Sequence, residues 1–140
     1  MSDQNLAAIR AQIAAWNAHD QDAWVKHYAE DAVYESESIP VSPLKGHASL
    51  RKLMEIYVGA FPDTQFEILQ DFASGPYVVT RTKATGTHRG ELTGIPPTNR
   101  KVVLQLCFIA EFRNGKIVHA WNYWDNVTLL RQIGVMPAQT

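Results

Sequence analysis

An α+β cone is the architecture to expect from this chain: a long, curved antiparallel sheet wrapped around three to four helices, with a pocket enclosed between the layers. Three features of the sequence lead there. Two stretches, Leu6 to Trp16 and Leu50 to Phe61, carry apolar residues at helical spacing, whereas most of the chain from Thr64 to Asp125 alternates with period two. One alternating stretch, Val102 to Phe112, is apolar without interruption on one face, which marks a central strand. Another, Val78 to His88, has a face made almost wholly of small side chains, and small side chains set against helices leave volume unfilled.

Composition narrows the partners. With 140 residues, 46% of them hydrophobic, the whole of 1–140 suits a single domain with a substantial core. Thirteen Lys and Arg against fourteen Asp and Glu are balanced and scattered, so there is no electrostatic footprint for nucleic acid or an anionic membrane. A hydrophobic small molecule or another protein is the partner to expect. The single cysteine, Cys107, excludes an internal disulfide and suits a reducing compartment. Met1-Ser2-Asp3-Gln4-Asn5 is not a signal peptide, and no apolar run approaches the roughly 20 residues that span a bilayer. A cytoplasmic protein is the expectation.

Taken in order, Leu6, Ile9, Ile13 and Trp16 predict an amphipathic helix over residues 4–18. Asn17-Ala18-His19-Asp20 breaks it, and Asp20 or Asp22 caps a second, shorter helix with Trp24 and Tyr28 on one face. Ala32 to Glu37 reads as a short strand with Tyr34 and Ser36 on one side, followed by a proline-containing loop to Gly46. His47 to Phe61 is the third helix, its stripe made by Leu50, Leu53, Met54, Tyr57 and Phe61, and Pro62-Asp63 ends it. Thr64 to Phe72 is a strand with Phe66, Ile68 and Phe72 on one face, and Ser74-Gly75-Pro76 turns it. The strand from Tyr77 then presents Val78, Thr80, Thr82, Ala84, Gly86 and His88 to the helices, which puts an imidazole near the rim of a cavity.

From Gly86 to Arg100 the chain forms a loop that Pro96-Pro97 guarantees, either a rigid connection or a functional loop at a pocket mouth. Beyond the central strand, Asn114-Gly115 turns the chain into a last strand ending at Asp125, and two registers compete. A two-residue turn pairs Phe112 with Ile117 and points His119, Trp121 and Tyr123 inward. A three-residue loop with a bulge pairs Phe112 with Lys116 and points Val118, Ala120, Asn122 and Trp124 inward. Asp125 caps a final helix that Gly134 stops.

Several motifs in order resemble one family. Gly86-Thr87-His88-Arg89-Gly90, Gly94-Ile95-Pro96-Pro97-Thr98, Asn114-Gly115-Lys116-Ile117 and the Trp-rich strand ending at Asp125 are similar to the SnoaL-like polyketide cyclases of the NTF2-like superfamily, over about Ile9 to Val135. The resemblance implies an NTF2-like cone and a cofactor-independent acid/base enzyme, in which a pocket carboxylic acid closes a ring by an intramolecular aldol reaction. It carries that acid's position onto Asn122 and a histidine's onto Phe108, while His88 matches the histidine of the Gly-x-His motif. It also favours the second register. Cys107, Ile109, His119, Trp121 and Tyr123 then make an outer face too apolar for water, best explained as a homodimer interface.

An amide at Asn122 cannot shuttle a proton, so three readings of the chemistry stand. In one, His88 is the acid/base and Asn122 orients a carbonyl or steadies an enolate, giving a cyclase, isomerase or dehydratase. In another, the acid is Asp125, Glu35 or Glu37, set against a helix cap for the first and a solvated strand edge for the others. In the third, the pocket binds a molecule or partner without turnover. The candidate catalytic residues are therefore His88, Asn122 and Asp125, and the candidate substrate contacts are Trp16, Tyr28, Tyr34, Met54, Tyr57, Phe108 and Trp124. No metal or cofactor is expected: the five histidines have no ligand spacing, and no nucleotide loop or Gly-x-Ser-x-Gly elbow is present.

Overall fold

The structure, a computed structural model, describes residues 2–39 and 42–136. Helix α1 (Ser2–Asn17) turns Ile9, Gln12 and Ile13 inward at the expected spacing. Its last residue closes the far edge of the sheet: the Asn17 amide donates to the Phe66 carbonyl at 2.9 Å and accepts from the Phe66 N–H at 2.7 Å. Asp20 is the cap of α2 (Gln21–Val25), accepting from the Ala23 N–H, while Asp22 pairs with Arg51 instead. Tyr28 is not on that helix. It opens β1 (Tyr28–Glu35), four residues before the expected start, because pairing with the last strand overrides the local helical spacing. A short β2 (Leu44–Lys45) precedes α3 (Gly46–Ala60), which buries Leu50, Leu53 and Met54.

The remaining strands are β3 (Gln65–Ser74), β4 (Tyr77–Thr87), β5 (Lys101–Arg113) and β6 (Lys116–Tyr123), and α4 (Asn126–Gln132) follows. They form one six-stranded sheet in the order β2-β1-β6-β5-β4-β3. Neighbours run antiparallel except β1 and β6, which are parallel, so the expected wholly antiparallel sheet has one parallel seam.

Two bulges redirect the side chains. In β3 the register shifts between Ile68 and Gln70, so Phe72 is 54% exposed on the outer face and does not join Phe66 and Ile68. In β6 both expected registers are partly right. Asn114 and Gly115 take positive φ of 53° and 77°, a two-residue turn that pairs Phe112 with Ile117. A bulge at Val118 then shifts the phase, pairing Glu111 with His119 and Phe108 with Asn122. Ile117, Ala120 and Asn122 consequently all face inward, and His119, Trp121 and Tyr123 face out.

Buried side chains gather in two clusters. The larger, around Ile9, Trp24, Leu50, Phe112 and Ile117, joins the first three helices to the sheet. The smaller, around Phe61, Leu92, Leu104 and Ile133, lies under the loop after β4 and α4. On the outer face Val103 and Tyr123 are exposed, and His119 stacks on Trp121 with centroids 4.0 Å apart while meeting the Glu35 carboxylate. No helix of the described residues is long and apolar enough to cross a membrane.

Candidate active site

Between the helices and the concave face of the sheet lies a cavity of about 120 Å³. Its sheet wall is built from alternate residues of three strands: Thr82 and Ala84 of β4, Leu104, Leu106 and Phe108 of β5, and Asn122 of β6. The small β4 residues leave this space open, with one qualification. Gly86 is small for a different reason, since a Cβ there would meet the Phe61 Cβ at 3.2 Å. The helices supply Ile13, Trp16 and Trp24 from one side and Leu53 and Tyr57 from another, with Phe61 added just past the end of α3. Tyr34 and Trp124 complete the enclosure at the β1 and β6 end, where the Ser38 hydroxyl donates to the Trp124 carbonyl.

Of the seven expected substrate contacts, six line the cavity: Trp16, Tyr28, Tyr34, Tyr57, Phe108 and Trp124. Met54 does not. It lies about 100° round α3 from Leu53, is only 2% exposed and packs in the larger core cluster.

The cavity is apolar with two polar corners. In one, buried Gln12 holds two aromatics, its Oε1 accepting from the Trp24 indole N–H at 2.7 Å and the Tyr28 hydroxyl at 3.3 Å. Gln12 was not among the expected site residues, although a glutamine inside the Ile9, Ile13, Trp16 stripe is a visible anomaly. In the other corner the Asn122 Nδ2 donates to the Tyr34 hydroxyl at 2.9 Å. Asn122 Oδ1, Trp124 Nε1 and Trp16 Nε1 are buried without a hydrogen-bond partner among the described residues. Burial pushes the Tyr34 phenol well above its ordinary pKa, and the Asn122 hydrogen bond partly offsets this; burial pushes Tyr57 up to about 12. Both are hydrogen-bond donors at neutral pH.

His88 and Asp125 are elsewhere. The His88 imidazole has no exposed surface and does not line the cavity; it lies against Phe61, which does, with ring centroids 5.5 Å apart. Its Nδ1 accepts from the Thr98 N–H at 3.3 Å and meets the Thr98 hydroxyl at 3.0 Å, which leaves the ring proton on Nε2. That Nε2 lies near the Gly90 backbone without a bond of ordinary geometry. Burial lowers the pKa of the ring, so it is neutral, and its place is to pin the loop after β4. Asp125 caps α4, accepting from the Val127 and Thr128 N–H groups and the Thr128 hydroxyl, which hold its carboxyl below the usual range. Glu35 meets His119 on the outer face and Glu37 is exposed. No carboxylate and no imidazole among the described residues lines the cavity. Among the described residues no three His, Cys, Asp or Glu side chains converge as metal ligands.

A family model described as SnoaL-like polyketide cyclase matches residues 6–133. The chain belongs to that family. Solved structures similar to this SnoaL-like chain include AclR from Streptomyces galilaeus, a proposed hydroxylase, at 32% identity and TM-score 0.87 over 100% of this chain and 87% of that one. IdmH from Streptomyces antibioticus, a proposed polyketide cyclase, is 28% identical at TM-score 0.79, over 94% and 99% of the two chains. A SnoaL-like protein from Jannaschia sp. CCS1, 16% identical over 98% and 96%, shares the fold at TM-score 0.88. A comparison with curated proteins finds no match. In this SnoaL-like protein the positions that the motifs carry for the family's acid and histidine, Asn122 and Phe108, are direct partners across β5 and β6, and both line the cavity.

Proposed function

We propose that this chain is a cofactor-independent enzyme of the cyclase or isomerase type, acting on a mostly apolar, cyclic or polyketide-like molecule held in the cavity. The observation that carries the reading is the Asn122–Tyr34 pair on the wall of an aromatic-lined enclosure. A phenol that receives a hydrogen bond on its oxygen becomes a better donor through its own O–H, so Tyr34 is suited to polarise a substrate carbonyl and to steady the enolate formed from it. Asn122 is then a positioning residue for Tyr34. Among the described residues no lining side chain is a base near neutral pH, so the proton of the substrate's carbon acid passes to solvent hydroxide, its acidity raised by the polarised carbonyl.

The test is a pH profile of turnover on an enolisable cyclic ketone, followed by loss of its α-deuterium. The rate is expected to climb with pH without an inflection in the imidazole range, and to fall about tenfold or more in Tyr34→Phe. An inflection near 6.5 that disappears in His88→Gln would return catalysis to the imidazole and sink this reading. A second reading, oxygenation of the same class of molecule, is favoured by the 32% identity to AclR. Dioxygen consumption during turnover separates the two.

A further inference from the structure

We propose that the outer face of the sheet docks a second copy of this chain, face to face, about a two-fold axis that lies along an apolar row crossing the strands. The proposal does not depend on the chemistry of the cavity. Strand pairing sets Trp121, Ile109, Val79 and Phe72 side by side across β6, β5, β4 and β3, on the face away from the helices. Phe72 is exposed, and so are Tyr77, Val103 and Tyr123 on the same face. An apolar surface of that breadth calls for a cover.

The charges beside the row say what covers it. Because β4 and β5 are antiparallel, Glu111 stands two residues past Ile109 on one side of the row, and Arg81 stands two residues past Val79 on the other. Among the described residues neither is in an ion pair, whereas Glu35 at the end of the row meets His119. A half-turn about the row lays the apolar row of one copy on that of the other and exchanges the two sides. Glu111 of each copy then faces the Arg81 side of the other, offset by one strand, about 4.8 Å. The contact is made twice, as an isologous interface requires. A half-turn about the strand direction of β5 also stacks the two sheets, but it sets Glu111 against its own copy and Phe72 against Glu35. Like charges brought together under a packed sheet oppose association, so the face complements itself in the first arrangement and not in the second.

Sedimentation equilibrium of the wild type in low salt, over about 1 to 100 μM, tests this and is expected to show a dimer. Arg81→Glu and Glu111→Arg are each expected to raise its Kd at least about tenfold, and the double variant to recover most of that loss. Neither side chain bonds another within its own copy, so circular dichroism and thermal midpoints should match the wild type. Ile109→Asp, at the middle of the row, is expected to leave a monomer. A monomeric wild type would overturn the proposal, and so would a dimer that neither charge variant disturbs. A dimer that Glu111→Gln tightens would overturn it too, because relief of repulsion at Glu111 is the mark of the other two-fold.

Discussion

At the scale of single residues, an amide at Asn122 on the cavity wall and a buried imidazole at His88 behind Phe61 stand where the sequence suggested acid/base groups. Replacing Asn122 with Asp reinstates a titratable acid in a dry wall. Burial raises the pKa of such a carboxyl above its unfolded value of about 3.9, so the variant's stability is greatest below that value and declines as pH rises through the folded pKa. The thermal midpoint of Asn122→Asp is expected to approach the wild type at pH 5 and to fall behind at pH 8, and its turnover should gain an inflection at the carboxyl pKa. For His88 the sign is reversed. Its folded pKa is depressed, so its contribution is fully present above the unfolded value of about 6.5 and is lost as pH falls through the folded one. His88→Leu strips Thr98 of two contacts and should cost about 1–3 kcal/mol in urea unfolding at pH 7.5, with the deficit narrowing at pH 5. A deficit independent of pH would show that the ring is not buried neutral. The sequence placed His88 on the small face of β4 correctly as far as parity goes. It could not show that Phe61 stands between that position and the cavity, because the Phe61 approach depends on where α3 ends in space.

At the scale of elements, the two long helices and the phases of β4 and β5 were legible, whereas the phases of β3 and β6 were not. The stripes of α1 and α3 follow from one periodicity held over three turns or more, and the Asp20 and Asp125 caps follow from local chemistry. The bulges at Leu69 and Val118 leave no such mark, since one inserted residue is chosen by the fit between neighbouring strands and looks like any other residue in the chain. The loop after β4 is docked closely on the end of α3. Arg89 and Gly90 both donate backbone N–H groups to the Ala60 carbonyl at the end of α3, and a Cβ on Gly90 would lie 2.0 Å from the Gly59 oxygen. Gly90→Ala is therefore expected to destabilise by at least about 2 kcal/mol, through backbone meeting backbone with no flexible atom to yield. Gly94, with φ of +91° but open space around it, supplies the contrast: Gly94→Ala should cost only about 1 kcal/mol. Urea midpoints of the two variants check the order.

At the scale of the whole molecule, the cone gives up packing to hold its cavity. A chain selected only for stability would fill it, and Ala84 is the wall position where filling is most direct. Ala84→Phe is expected to leave stability within about 1 kcal/mol of the wild type while slowing turnover of the enolisable cyclic ketone at least about tenfold. A large loss of stability instead would mean that the space is already occupied by side chains. This trade was partly readable in advance, because the run of small residues from Thr80 to Gly86 is conspicuous beside the bulky face of β5.

The bulge at Val118 gives β6 something like a reading frame. Upstream of it, from the turn to Ile117, odd positions see the interior; downstream, even positions do. Which residue faces the cavity is therefore written in a count of residues from the turn as well as in their identities. Loss of Val118 would restore a regular ladder and leave Asn122 where it is, whereas loss of one residue between Ala120 and Asn122 would exchange the site wall for the outer surface in a single step. An insertion or deletion in this strand thus either leaves the cavity lining as it is or exchanges it for the outer face, with little in between.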